Sequence, residues 1–189
     1  ELSGPTLGGT GTIYVGSADG KVYARNPADG SELWTASGLQ GEVNHVVLGS
    51  GKIFVVTGMG YVYSLNPATG ATVWSVQPTL GEFLSAPVLT QSYIYVVDDD
   101  DILYCLRQTD GSEVWQCTCA EYLPLDARGR GRARRDIDDP GYNPSILTNG
   151  DIIVVGEDAV YCVAGYSAET LTGTWPKWQR DQHNSGKQQ

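Results

Sequence analysis

Four consecutive carboxylates, Asp98, Asp99, Asp100 and Asp101, are the densest group of chemically capable side chains in this sequence. Hard oxygen ligands on a short loop are what Ca2+ prefers, so the run is a candidate cation site. Turn chemistry accounts for it without an ion, because Asp is a common turn former that bonds its own backbone, and EF-hand spacing is absent. A second cluster is basic. Arg128, Arg130, Arg132, Arg134 and Arg135 are five of the twelve Lys and Arg residues in the chain. Concentrated cations of this kind suit an acidic partner, an anionic polymer or a phosphate. The alternative is a solvated loop whose charge is balanced by Asp126, Asp136, Asp138 and Asp139.

The remaining reactive residue types are scattered. His45 and His183 have no metal-type partner near them in sequence. Cys117 and Cys119 form a CxC pair, closer than the usual zinc spacing, and a bond between them would be strained. Cys105 and Cys162 read as small inward-facing side chains. No nucleophile elbow, phosphate-binding loop or HExxH motif occurs, and the glycines punctuate turns without opening a helix.

These residues must be held by short strands. Among 189 residues there are 24 Gly, 11 Tyr and 5 Trp, with 18% charged side chains, and no stretch carries apolar residues at helical spacing. The expectation is all-β. A formal charge of −10 disfavours nucleic-acid binding, and no run approaches the ~20 apolar residues that span a bilayer. The chain starts at Glu1 with no signal-peptide pattern, so a mature processed form or a piece of a longer protein is expected. In an oxidising compartment the four cysteines could form disulfides, but nothing in their spacing demands it.

Self-similarity organises the chain. Ile13 to Trp34 reads IYVGSADGKVYARNPADGSELW, Ile53 to Trp74 reads IFVVTGMGYVYSLNPATGATVW, and Ile94 to Trp115 reads IYVVDDDDILYCLRQTDGSEVW. A fourth copy opens at Ile153 and then loses the pattern. Each unit has an entering segment, a β-branched strand, a short turn, a second strand, a Gly-containing turn and a last strand bearing the Trp. Four antiparallel strands in about 40 residues make one propeller blade. The predicted blades span approximately 4–36, 43–77, 85–119 and 142–178, with an insertion at 116–142 and a closing tail at 171–189. The acidic run falls in the turn between the β-branched strand and the second strand of blade three, where the other blades have Ser17–Gly20, Thr57–Gly60 and Gly156–Ala159. The arginines fall in the insertion.

The stretch from Ala24 through Asn26, Asp29 and Gly30 to Trp34 resembles the tryptophan-docking motif of PQQ-like β-propellers, A-x-D-x-x-T-G-x-x-x-W. Ser64 to Trp74 matches with Ser and Asn66 at the first and third positions, and Cys105 to Trp115 with Cys105 and Arg107. The tail TWPKWQRDQHNSG is similar to the WPxxxxDxxxSG segment that ends such chains, with Trp175 and Trp178 packing on the ring. The resemblance implies a structural docking set of Gly30, Trp34, Gly70, Trp74, Gly111 and Trp115, each Trp crossing to the next blade's Gly turn. It also implies about seven or eight blades in a complete ring, so four blades are expected to be half of one, completed by a missing segment, a protein partner or a second copy.

Function is then expected to be that of a non-catalytic interaction or scaffolding module, secreted or periplasmic in a bacterium or archaeon. No catalytic and no cofactor-binding residue is assigned. One alternative is a fragment of a PQQ-dependent dehydrogenase using PQQ and Ca2+, although those enzymes carry adjacent cysteines where this chain has Cys117-Thr118-Cys119. Another is a carbohydrate or surface-polymer binder using Tyr122, Tyr142 and Tyr166.

Overall fold

The computed structural model describes residues 2–83, 85–100 and 102–118, together with strands at 143–146, 152–155 and 160–163. Strands β1 (Thr6–Leu7), β2 (Ile13–Ser17), β3 (Lys21–Arg25) and β4 (Glu32–Ala36) form one antiparallel sheet in that order. Strands β5 (Val43–Gly49), β6 (Lys52–Thr57), β7 (Val62–Leu65) and β8 (Thr72–Val76) form the second. The third holds β9 (Val88–Leu89), β10 (Tyr93–Val97), β11 (Ile102–Arg107) and β12 (Glu113–Thr118). In the fourth, β13 (Asn143–Ile146), β14 (Ile152–Val155) and β15 (Val160–Val163) pair in sequence. Any fourth strand of that blade would lie outside the described residues. Short loops join strands that are neighbours in both sequence and sheet, the meander expected of a blade.

Period-2 alternation sends successive side chains to opposite faces, and here both faces are apolar. Ile53, Val55, Tyr63 and Leu65 of the second sheet are buried against Tyr14, Val22, Ala24 and Trp34 of the first. From its other face Phe54, Val56, Val62 and Trp74 meet Ile94, Val96, Tyr104 and Leu106 of the third. That is why β6 and β7 read as almost unbroken apolar runs. The core is thus a series of seams between successive sheets.

The turn between the third and fourth strands has one geometry in all three complete blades. Gly30, Gly70 and Gly111 have φ of 72°, 72° and 76°, a left-handed conformation that costs other L-residues roughly 1–2 kcal/mol. Each turn closes by a backbone bond, from Gly30 N to Asn26 O, Gly70 N to Asn66 O and Gly111 N to Arg107 O. The side chains of Asn26 and Asn66 accept from the amides two residues on, which is the role an Asx residue plays in a turn. The register slips by one residue just beyond Ala24, Ser64 and Cys105, so the Trp-bearing strand bends at the same place each time.

Candidate functional site

The repeated joint between blades is the most elaborate arrangement among the described residues. The indole Nε1 of Trp34 donates to the carbonyl of Pro67 at 2.9 Å, and Trp74 Nε1 donates to the carbonyl of Gln108 at 3.2 Å. Both acceptors lie three residues before the Gly of the next blade's turn. A Cβ added to Gly70 would stand 2.5 Å from Trp34 Cε3, and one added to Gly111 would stand 2.7 Å from Trp74 Cε3. Glycine is therefore required twice over at these turns, for its backbone angle and for the indole laid upon it. Trp115 repeats the giving half, and its buried Nε1 finds no acceptor among the described residues.

A second aromatic accompanies each indole. Tyr14, Ala24 and Trp34 face one another across three strands, as do Phe54, Ser64 and Trp74, and Tyr95, Cys105 and Trp115. The ring centroids of Tyr14 and Trp34 are 5.7 Å apart, those of Phe54 and Trp74 6.0 Å, and those of Tyr95 and Trp115 6.0 Å. Only a small side chain fits between two rings on flanking strands, which explains Ala, Ser and Cys at one position. Cys105 is buried there as packing. The signal was present in the sequence, since an aromatic residue precedes each docking Trp by the same interval, but the motif alone does not include it.

The acidic run behaves as the start of a hairpin. Asp98 is buried, with Oδ1 accepting from the amides of Asp100 and Ile102 and Oδ2 accepting from the Tyr104 hydroxyl at 2.9 Å. Burial raises its carboxyl above the ordinary value, against the opposing pull of these hydrogen bonds, and the Tyr104 phenol is pushed up to about 12, chiefly by burial. Asp99 Oδ1 accepts from the Glu82 amide, holding the incoming segment. Among the described residues no three His, Cys, Asp or Glu gather as metal ligands; Asp101 lies outside them. So do the five arginines, Cys119, His183, Trp175, Trp178 and the tyrosines at 122, 142 and 166.

One open cleft of about 260 Å³ lies beside the first strand of blade two, lined by Leu2, Ser3, Ala18, Glu42, Val43, Asn44 and His45. Its polar groups are partly committed to the fold: Asn44 Nδ2 donates to the Phe83 carbonyl, and Ser3 Oγ accepts from the Gly16 amide. At the same end of the sheets, Met59 and Leu80 project from loops, with Leu80 92% exposed. No helix among the described residues is long and apolar enough to cross a membrane.

Sheets of this kind, tied by indoles laid on glycine turns, define an arc of a PQQ-type β-propeller. The chain belongs to the family described as outer membrane protein assembly factor BamB, whose profile matches residues 18–139 and again 59–188. No curated protein matches the chain. Among solved structures it is similar to BamB from Moraxella catarrhalis, with a TM-score of 0.67 and 17% identity over 86% of this chain. It spans 49% of that chain's length. It is also similar to the computationally designed Ika4 protein, with a TM-score of 0.63 and 13% identity, covering 87% of this chain and 89% of that one. The designed Ika8 protein matches with a TM-score of 0.64 and 13% identity over 85% of this chain and 44% of that one.

Proposed function

We propose that this chain is a non-catalytic protein-interaction module of a bacterial cell envelope, working as part of a propeller that holds other proteins in place. Membership of the BamB-described family carries the reading. The use of its reactive side chains supports it. Asp98 is committed to a hairpin and Cys105 to an aromatic sandwich, and fold alone does not supply a reaction. Partner contact is assigned to the loop end of the arc, where Met59 and Leu80 are exposed. The arginines at 128, 130, 132, 134 and 135 are proposed as a second, electrostatic contact that steers an acidic partner.

The test is site-directed photo-crosslinking from positions 59 and 80 in the native envelope, read by mass spectrometry. One recurrent envelope protein, lost when Leu80 is replaced by Asp, is expected. Dye reduction by alcohols or sugars after addition of PQQ and Ca2+ would replace this reading with a dehydrogenase. Selective binding on a glycan array would replace it with a polymer-binding propeller.

A further inference from the structure

Two exposed apolar side chains stand where the repeat otherwise places polar ones. In the turn that follows β2, β6 or β10, blade one has Asp19 and blade three has Asp100, but blade two has Met59. In the links between blades, Gln40 of the first corresponds to Leu80 of the second. Met59 is 54% exposed and Leu80 92%.

These turns and links pack in sequence along one end of the sheets. A Cβ on Gly20 would stand 2.8 Å from the Leu39 carbonyl oxygen, and one on Gly41 would stand 2.7 Å from Met59 Cγ. One on Gly60 would strike the Thr79 carbonyl, and one on Gly81 the Asp99 carboxylate. The glycines thus draw the loops into one continuous surface, with Met59 and Leu80 at its middle. The Gly58 amide donates to the Glu42 carbonyl, so Glu42, which lines the open cleft, stands beside the turn that carries Met59.

The charge of this end is one-sided. Among the described residues Asp19, Glu42, Glu82, Asp99 and Asp100 are exposed there, and the single cation is Lys21, already paired with Asp19. At the opposite end Asp29, Glu32, Asp110 and Glu113 are offset by Arg25, Lys52 and Arg107. An apolar centre inside an anionic rim disfavours an anionic phospholipid surface, which the carboxylates would repel, and is complementary to a cationic polypeptide. We propose that the loop end docks a basic amphipathic segment of another protein, its apolar side chains on Met59 and Leu80 and a Lys or Arg in the cleft beside Glu42. The proposal rests on the interaction-module reading of the chain and adds the chemistry of the partner. The apolar pair supplies attraction that salt does not screen, and the rim sets the rate of encounter and its salt dependence.

Fluorescence anisotropy of the full chain with a labelled amphipathic peptide of Lys and Leu tests this. Binding is expected, with none to the same peptide carrying Glu for Lys. Leu80→Asp should weaken it about tenfold, and Glu42→Lys should weaken it and flatten its salt dependence. Both positions are exposed, so circular dichroism should show the fold kept. Glu113→Lys changes the net charge equally at the opposite end and should leave affinity unchanged; an equal loss there would reduce the effect to net charge and overturn the proposal. So would affinity indifferent to Leu80→Asp and Glu42→Lys, or binding to anionic phospholipid vesicles that Leu80→Asp abolishes. Binding that appears only once Arg128, Arg130, Arg132, Arg134 and Arg135 are replaced by Ser would overturn it too, giving the surface to the chain's own basic segment. In the envelope, crosslinks from positions 59 and 80 to a segment lacking Lys and Arg would overturn the basic occupant and leave the interaction reading standing. Peptide binding with no recurrent envelope crosslink would remove that reading and the proposal together.

Discussion

Trp34 and Pro67, 33 residues apart, are joined by a hydrogen bond from the indole nitrogen to the main-chain carbonyl, and the ring that makes this bond lies on Gly70. Donor and seat belong to different blades, so the contact converts a local sequence repeat into long-range order. Trp74 does the same with Gln108 and Gly111.

Gly70→Ala and Gly30→Ala separate the two demands on these turns. Both place a side chain at φ of 72°, which costs roughly 1–2 kcal/mol. Only at position 70 does the new methyl meet an indole, and overpacking of that kind adds about 1–3 kcal/mol. Urea denaturation should show the larger loss for Gly70→Ala. Equal losses would mean that the docked ring contributes little.

Trp74→Ala should cost about 3 kcal/mol, the low end for a large core aromatic, because the ring is partly buried. Trp74→Phe keeps much of the packing but leaves the Gln108 carbonyl without its indole donor, a loss of about 1 kcal/mol for the bond itself. The ordering of the two variants in a denaturant series checks the split.

Ser64→Ala should raise stability by up to about 1 kcal/mol, because it removes a buried hydroxyl that has no hydrogen-bond partner. Ala24 already occupies the same place between Tyr14 and Trp34. A lower melting temperature for Ser64→Ala would point to a bond that the hydroxyl makes in solution.

Asp98 gives the pH dependence a definite sign. Its folded carboxyl titrates above the ordinary 3.8, so in the window above that value the native state binds more protons than the unfolded chain and stability falls as pH rises. Asp29 and Asp110 are shifted down by hydrogen bonds from Ser31 and Ser112; their contribution is present above 3.8 and is lost as pH falls through their folded values. Asp98→Asn should therefore gain on wild type between acid and neutral pH in thermal melts. A constant difference across that range would contradict the assignment.

Calcium should leave the melting temperature unchanged, since Asp98 has its oxygens turned to Asp100, Ile102 and Tyr104. A rise with Ca2+ that disappears in Asp99→Asn would restore the acidic run as an ion site.

Much of the architecture was legible because glycine and tryptophan do few things in a strand-rich chain. Recurrence of Gly30, Gly70 and Gly111 ahead of Trp34, Trp74 and Trp115 gave the blades and their order. The acceptors of the indole bonds were not legible, because a main-chain carbonyl leaves no mark on residue type: Pro67 and Gln108 share none. The inward turn of Asp98 was hidden by its three acidic neighbours, which made the run look like one solvated group.

The use of a carbonyl as acceptor bears on how such a chain can grow. Tandem duplication of one forty-residue unit copies the indole and its seat together, in the correct order, so a new sheet fits its neighbour at once. Later drift at the acceptor position costs nothing, because every amino acid brings the same oxygen. The fastening is inherited with the backbone, and the side chains around it are free to specialise.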